Sequence, residues 1–182
     1  MQPIGPLMHE HRLIERMLGI LEKEKSRIQE DQAADTQLID QSVDFFRTFA
    51  DRCHHGKEED ILFRDLKNKS ISKEHQAIMD ELIEEHILGR RLVTELDGYN
   101  NHLVRSGNGS VNKEIAGTID KLLNFYSEHI KKEDKDFFHP VMAYFSREEM
   151  SGMLQEFDAF EKELLHEKYL GMIRKLEENP VS

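Results

Sequence analysis

The stretches His55-Gly-Lys-Glu-Glu59 and His129-Ile-Lys-Lys-Glu133 repeat one pattern, a histidine with a glutamate four places later, each within a strongly helical stretch. Four residues make slightly more than one helical turn, so imidazole and carboxylate leave the same face one above the other. One such pair is ordinary surface chemistry. Two pairs on two helices, both on the apolar side, are donors suited to a shared metal centre. Their nitrogen-rich mixture fits transition ions better than calcium or magnesium.

The chain has ten histidines, and stepping about 100° per residue around each helix sorts them. His11 lies at the edge of the stripe formed by Leu7, Ile14, Leu18 and Leu21. His55 and Glu59 fall within the arc of Phe45, Phe63 and Leu66, whereas His54 points nearly opposite and is expected to be exposed. His86 lies amid Met79, Leu82 and Val93, with Gly89 one turn on leaving room for the ring. His129 and Glu133 share a face with Ile115, Leu122, Tyr126 and Phe137. Depth gives a separate test, because residues equally far from a shared turn stand at one level in antiparallel helices. His11 and His55 lie equally far from Ala33, and His55 and His86 nearly so from Ser70. His86 and His129 are nearly equidistant from Asn108. The four therefore fall in one layer, to within about 1.5 Å of rise. His75 is inward but about 16 Å away along the axis and cannot join them. Burying this much polar chemistry without a counter-charge costs several kcal/mol per carboxylate, and a cation removes that penalty. Four imidazoles and two carboxylates exceed the needs of one tetrahedral zinc and suit two ions bridged by the carboxylates. Tyr126, a turn before His129, reads as core, with a hydrogen bond or electron donation to the centre as its alternative. Glu85 and Arg90 read as solvated.

Four long amphipathic helices must position these groups. Their expected spans are from Ile4 or Leu7 to Glu30, Gln37 to Lys67, Ser72 to Val104, and from the Ser106-Gly-Asn-Gly-Ser110 loop to Phe138, ahead of Pro140. Short connections imply antiparallel neighbours, hence an all-α, up-down-up-down four-helix bundle over residues 1–145. Ser146-Arg-Glu-Glu149 has the form of a capping box and opens a fifth helix towards Glu178. That C-terminal extension, 146–182, carries Met150, Met153, Leu154, Phe157, Phe160 and Leu164. So apolar a helix must pack on the bundle or pair with a second copy in a homodimer.

Composition narrows the function classes. A formal charge of −11 opposes a nucleic-acid partner, whose phosphates call for lysine and arginine. No apolar run approaches the roughly 18–20 residues that cross a bilayer. The absence of a signal-peptide layout and a lone cysteine, Cys53, point to the cytoplasm, with Cys53 as packing.

The segments Met8-His-Glu-His11-Arg-Leu-Ile14, His55-Gly-Lys-Glu-Glu59-Asp-Ile-Leu-Phe63, Glu85-His86-Ile-Leu-Gly89-Arg90 and His129-Ile-Lys-Lys-Glu133-Asp together resemble the hemerythrin-like family of HHE cation-binding domains. The resemblance covers roughly residues 7–140, and its ligand pattern is closest to the repair-of-iron-centres type. It implies two iron ions with an oxo or hydroxo bridge, His11, His55, His86 and His129 as terminal ligands, and Glu59 and Glu133 as bridges. Ferritin-like bundles instead use paired Glu-x-x-His motifs, of which Glu163-Leu-Leu-His166 is a single stray match. The chain departs from oxygen-carrying hemerythrins, which have histidines at i and i+4 on the third helix; here Leu82 and Arg90 flank His86 at that spacing. On two six-coordinate ions, four histidines, two bridging carboxylates and the oxo or hydroxo bridge leave one open position each, which suits two-molecule or redox chemistry. Because the sequence opens directly on its first helix, the cysteine-containing N-terminal domain of the repair proteins is not expected here. The expected function is a non-haem di-iron protein that binds or reduces O2, peroxide or NO in sensing, detoxification or iron handling. The alternatives are a non-catalytic iron store or carrier for iron–sulfur assembly or repair, and a metal-free interaction module.

Overall fold

The computed structural model describes residues 2–30, 33–107, 109–161 and 163–178, and every regular element among them is helical. Helix α1 spans Ile4–Gln29. Helix α2 opens as α-helix over Thr36–Phe45, widens into π-helix over Phe46–His55 and Glu58–Phe63, and closes with a turn at Arg64–Leu66. Helix α3 runs Lys73–Ser106. Helix α4 covers Asn112–Lys132, passes through a π turn at Glu133–Phe137 and ends in Phe138–Val141. Helices α5 (Arg147–Phe160) and α6 (Glu163–Glu178) complete the chain. α1 packs against α4 and α2, and α3 against α2 and α4, the ring of neighbours of a four-helix bundle.

The ends of the rods follow from local chemistry. Asp35 accepts from the amides of Gln37 and Leu38, each at 3.0 Å, and its own amide donates to Glu24 at 2.7 Å. These bonds satisfy donors that the first turn of α2 leaves unpaired. Ser72 caps α3, and Gly107 ends it at a φ of +62°, a conformation open to glycine at little cost. The capping box read at Ser146 and Glu149 is present at the start of α5. Asp31, Gln32 and Asn108, within the expected turns, lie outside the described residues.

Two features differ from the expected helices. α4 runs past Pro140 to Val141, because the preceding π turn has already shifted the hydrogen-bond ladder where the proline amide is missing. The single C-terminal helix is instead two, broken at Glu161, whose backbone is extended. Both pieces lie on the bundle: Met153 and Phe157 are buried at one end, Tyr169 and Ile173 at the other. The apolar surface that left a homodimer open is thus covered at these positions by the chain's own core. The side chains of Leu164 and of the Glu163–His166 pattern are outside the described residues.

The core has two halves. One is built around Leu21, Phe45, Phe46, Leu96, Ile119 and Leu122. The other is built around Leu7, Leu62, Phe63, Met79, Leu82, Phe137 and Phe138. Between them lies a slab of buried polar side chains: Glu10, His11, His54, His55, Glu58, His86, His129 and Glu133.

Candidate metal centre

Each bundle helix sends histidine or carboxylate groups into that slab. Their donor atoms form two groups, His55, His86 and His129 in one, and His11, His54, Glu58 and Glu133 in the other, each within 4.8 Å. Glu58 and Glu133 join the two. Glu58 Oε1 lies 3.3 Å from His54 Nε2 and its Oε2 lies 3.3 Å from His86 Nε2. Glu133 Oε2 lies 3.1 Å from His11 Nε2, while its Oε1 lies 3.5 Å from His129 Nε2 and 3.8 Å from His86 Nε2.

The structure therefore gathers His11, His55, His86, His129 and Glu133 into the layer that periodicity assigned to them. It sets Glu59 outside. Glu59 accepts at 2.7 Å from His86 Nδ1 and again from Arg90, and its side chain is 27% exposed. Its place at the centre is taken by Glu58, which is 0% exposed. His54, expected to face water, is 1% exposed and lies against His11 with its Nε2 2.9 Å from His11 Nε2. One cause underlies both differences. The 100° step assumes an α-helix, but α2 is π-helical on both sides of this point, and each wider turn rotates less per residue. The accumulated lag lets His54 and His55 both face inward and brings Glu58 round in place of Glu59.

Outside the donor atoms runs a second ring of carboxylates. His54 Nδ1 donates to Glu10 at 2.8 Å, His86 to Glu59 at 2.7 Å, His129 to Glu85 at 2.8 Å, and His11 to Asp134 at 2.7 Å. The chain of partners circulates around the bundle: α1 serves α2, α2 serves α3, α3 serves α4, and α4 serves α1. A fifth and longer contact, 3.4 Å, joins His55 Nδ1 to Asp51 within α2. Since an ionised carboxylate only accepts, each Nδ1 carries a proton, so Nε2 is the nitrogen turned to the centre and, in the neutral imidazole, the one that offers its lone pair there. Cations hold the outer carboxylates in turn: Arg12 on Asp134, Lys57 on Glu10, Arg90 on Asp51 and Glu59, and Lys132 on Glu85. Glu85 and Arg90 are thus tied into the layer rather than solvated.

Three observations make the slab fit a cation. His55, His86 and His129 Nε2 and all four oxygens of Glu58 and Glu133 are buried without a partner in hydrogen-bonding geometry among the described residues. Native interiors rarely tolerate so many orphaned polar atoms in one place. The spacing also fits: two donors at right angles around one ion, each about 2.1 Å from it, stand about 3 Å apart. The contacts among His11, His54, Glu58 and Glu133 lie between 2.9 and 3.3 Å. Finally, the site favours positive charge. Burial lowers the His11 pKa, but Asp134 and Glu133 outweigh it and push the imidazole up to about 10. Burial would raise Glu133, yet His129, His11 and His86 hold it well below the carboxylate range. His55 goes the other way, driven well below its usual value by burial and by His86 and His129. A neutral imidazole is what a metal ligand must be.

A cavity of about 270 Å³ reaches the layer from the α2–α3 side, past Asp51, Arg90, Val93 and Thr94 to His55 and Tyr126. The Tyr126 ring stacks on Phe46 at 5.1 Å, and no hydrogen bond of its hydroxyl to the centre is found among the described residues, so its packing role is the one observed.

Comparison with known proteins agrees with this geometry. The family model described as the hemerythrin HHE cation binding domain matches residues 2–141. No curated protein and no solved structure matches the chain. No helix among the described residues is long and apolar enough to cross a membrane.

Proposed function

The chain belongs to the hemerythrin HHE cation-binding domain family, and on that premise we propose that it is a non-haem di-iron protein binding one small ligand, O2, NO or peroxide, per metal pair. The observation that carries this reading is the set of buried, unpartnered nitrogen and oxygen atoms with two carboxylates shared between two histidine groups. The proposed ligands are His11 and His54 for one ion, His55, His86 and His129 for the other, and Glu58 and Glu133 for both. Glu59 acts in this reading through His86.

Five histidines in place of four change the count of open positions. Two six-coordinate ions would offer twelve positions; five imidazoles and four carboxylate oxygens would fill nine, and a shared oxo or hydroxo bridge would fill two more. One would be left, on the two-histidine side, where the four-histidine set would leave one on each ion. His55 supplies from α2 the third imidazole that α3 lacks at Arg90. When bound, the iron pair supplies redox capacity and Lewis acidity towards a small ligand. The protein fixes the imidazole tautomers through the outer carboxylates, keeps Nε2 lone pairs aimed inward and excludes bulk water with Phe63, Phe137 and Phe138.

The proposed setting is the cytoplasm, with sensing, detoxification or iron handling as the role. The charge of −11 argues against a nucleic-acid partner. The iron store or carrier is the weaker alternative, because every proposed ligand is at most 2% exposed and release to an acceptor would require opening the core. Titrating the iron-loaded protein with azide or NO, followed by its visible absorption, tests the count. One ligand per iron pair is expected; two per pair, or none, would contradict the single open position.

A further inference from the structure

Of the four cations that hold the outer carboxylates, one differs in kind. Arg12 and Arg90 have side chains 52% and 40% exposed and Lys132 is 22% exposed. Lys57 is 0% exposed. Exposed ion pairs contribute little, whereas removing one partner of a dry pair leaves the other charge uncompensated. Lys57 Nζ donates to Glu10 Oε1, and Glu10 Oε2 accepts from His54 Nδ1 at 2.8 Å. The same carboxylate thus bridges the buried ammonium and a proposed ligand of the two-histidine ion.

The other partners of Lys57 come from beyond residues 2–141. Glu161, at the break between α5 and α6, accepts from Nζ at 3.4 Å, and the Phe157 ring lies 5.8 Å from it. Phe160 covers the neighbouring Gly56 so closely that a Cβ there would lie 2.8 Å from its ring. The extension therefore closes over Gly56 and Lys57 directly behind His54.

We propose that Lys57 is a positioning residue for His54, acting through Glu10, and that Glu161 and Phe157 make the C-terminal extension part of the two-histidine half of the centre. This rests on the di-iron reading for its consequence but not for its geometry. With Lys57 in place, Glu10 is fixed between two donors and presents one oxygen to His54, holding the imidazole plane and its tautomer. Without Lys57, Glu10 is a buried carboxylate with one partner fewer, free to turn from His54, whose Nε2 then loses its aim. The three-histidine ion has its own outer partners on α2 and α3 and does not depend on this link.

The test uses the full chain with Lys57→Met and Glu161→Gln, and Lys132→Met as a partly exposed counterpart on the His129 side. Equilibrium titration of Fe(II) against a competing chelator under anaerobic conditions reads the two sites separately. Lys57→Met is expected to weaken one of the two ions about 10–100-fold, the range for losing an outer partner of a metal ligand, and to leave the other nearly unchanged. Glu161→Gln is expected to weaken that same ion several-fold, and it carries the test should Lys57→Met fail to fold. Lys132→Met should not touch that ion. Equal weakening of both ions, or unchanged binding in a folded Lys57→Met or Glu161→Gln chain, would overturn the proposal. Metal-free protein separates this inference from the di-iron reading: the His54 Nδ1–H resonance should be protected from exchange in the parent and lost in Lys57→Met. If that resonance behaves as expected while the parent binds no iron, the metal reading fails and the positioning link stands. If it is unaffected by Lys57→Met, the link fails.

Discussion

Glu133→Ala is expected to strip both ions from the protein, and Glu58→Ala to do the same, whereas Glu59→Ala keeps two. Each of the first two carboxylates spans both histidine groups, one oxygen towards the His11–His54 side and the other towards His86. In the di-iron reading, removing either would take a ligand from each ion at once and leave imidazoles such as His86, whose pKa burial lowers but the surrounding glutamates hold well above its usual value, without their balancing charge. The expected loss exceeds about 100-fold in affinity for both ions, beyond what an outer partner contributes. Glu59 touches only His86 Nδ1 and Arg90, so its replacement should weaken one ion within the 10–100-fold range and leave the stoichiometry at saturation unchanged. Metal analysis after dialysis, with circular dichroism as a check on folding, reads the difference. A Glu59→Ala chain that loses both ions while Glu58→Ala keeps them would reverse the assignment of the two neighbours.

The second large effect is expected at His54. His54→Ala leaves the two-histidine side with His11 alone, so the iron content should fall from two towards one per chain, the remaining ion being that of His55, His86 and His129. His75→Ala is the comparison, since His75 bonds Tyr144 at 2.8 Å, away from the layer, and both ions should survive it. Loss of azide or NO binding should accompany loss of the first ion, because the proposed open position lies on that side. Full retention of two irons in His54→Ala would remove His54 from the ligand set.

The bundle was legible because helical period, caps and short turns all point the same way: Asp35, Ser72 and Ser146 cap where the apolar stripes begin, and Gly107 ends α3. His11, His86 and His129 were legible for the same reason, since the helix around each is regular up to that point. Glu58 and His54 were not. Their rod is π-helical over Phe46–His55 and Glu58–Phe63, and a period of 3.6 carried across it lands one residue late. A signal was nonetheless present: His54 and Glu58 have the same four-residue spacing as His55 and Glu59, so the sequence holds two overlapping pairs.

The outer carboxylates were hidden for a different reason. Glu10, Glu59, Glu85 and Asp134 each sit next in sequence to a residue of the layer, yet each serves a histidine on the adjoining helix. Such pairing depends on how neighbouring rods are rotated, which a single helix's pattern does not contain. The same holds for Lys57, a charged residue that a helical wheel would place in water but that the extension covers.

Anaerobic titration of the metal-free protein with Fe(II), with bound iron counted per chain, tests the two-ion centre most directly. Two equivalents bound in the parent, one in His54→Ala and none in Glu133→Ala is the expected pattern. A single equivalent in the parent, or binding indifferent to both substitutions, would contradict it.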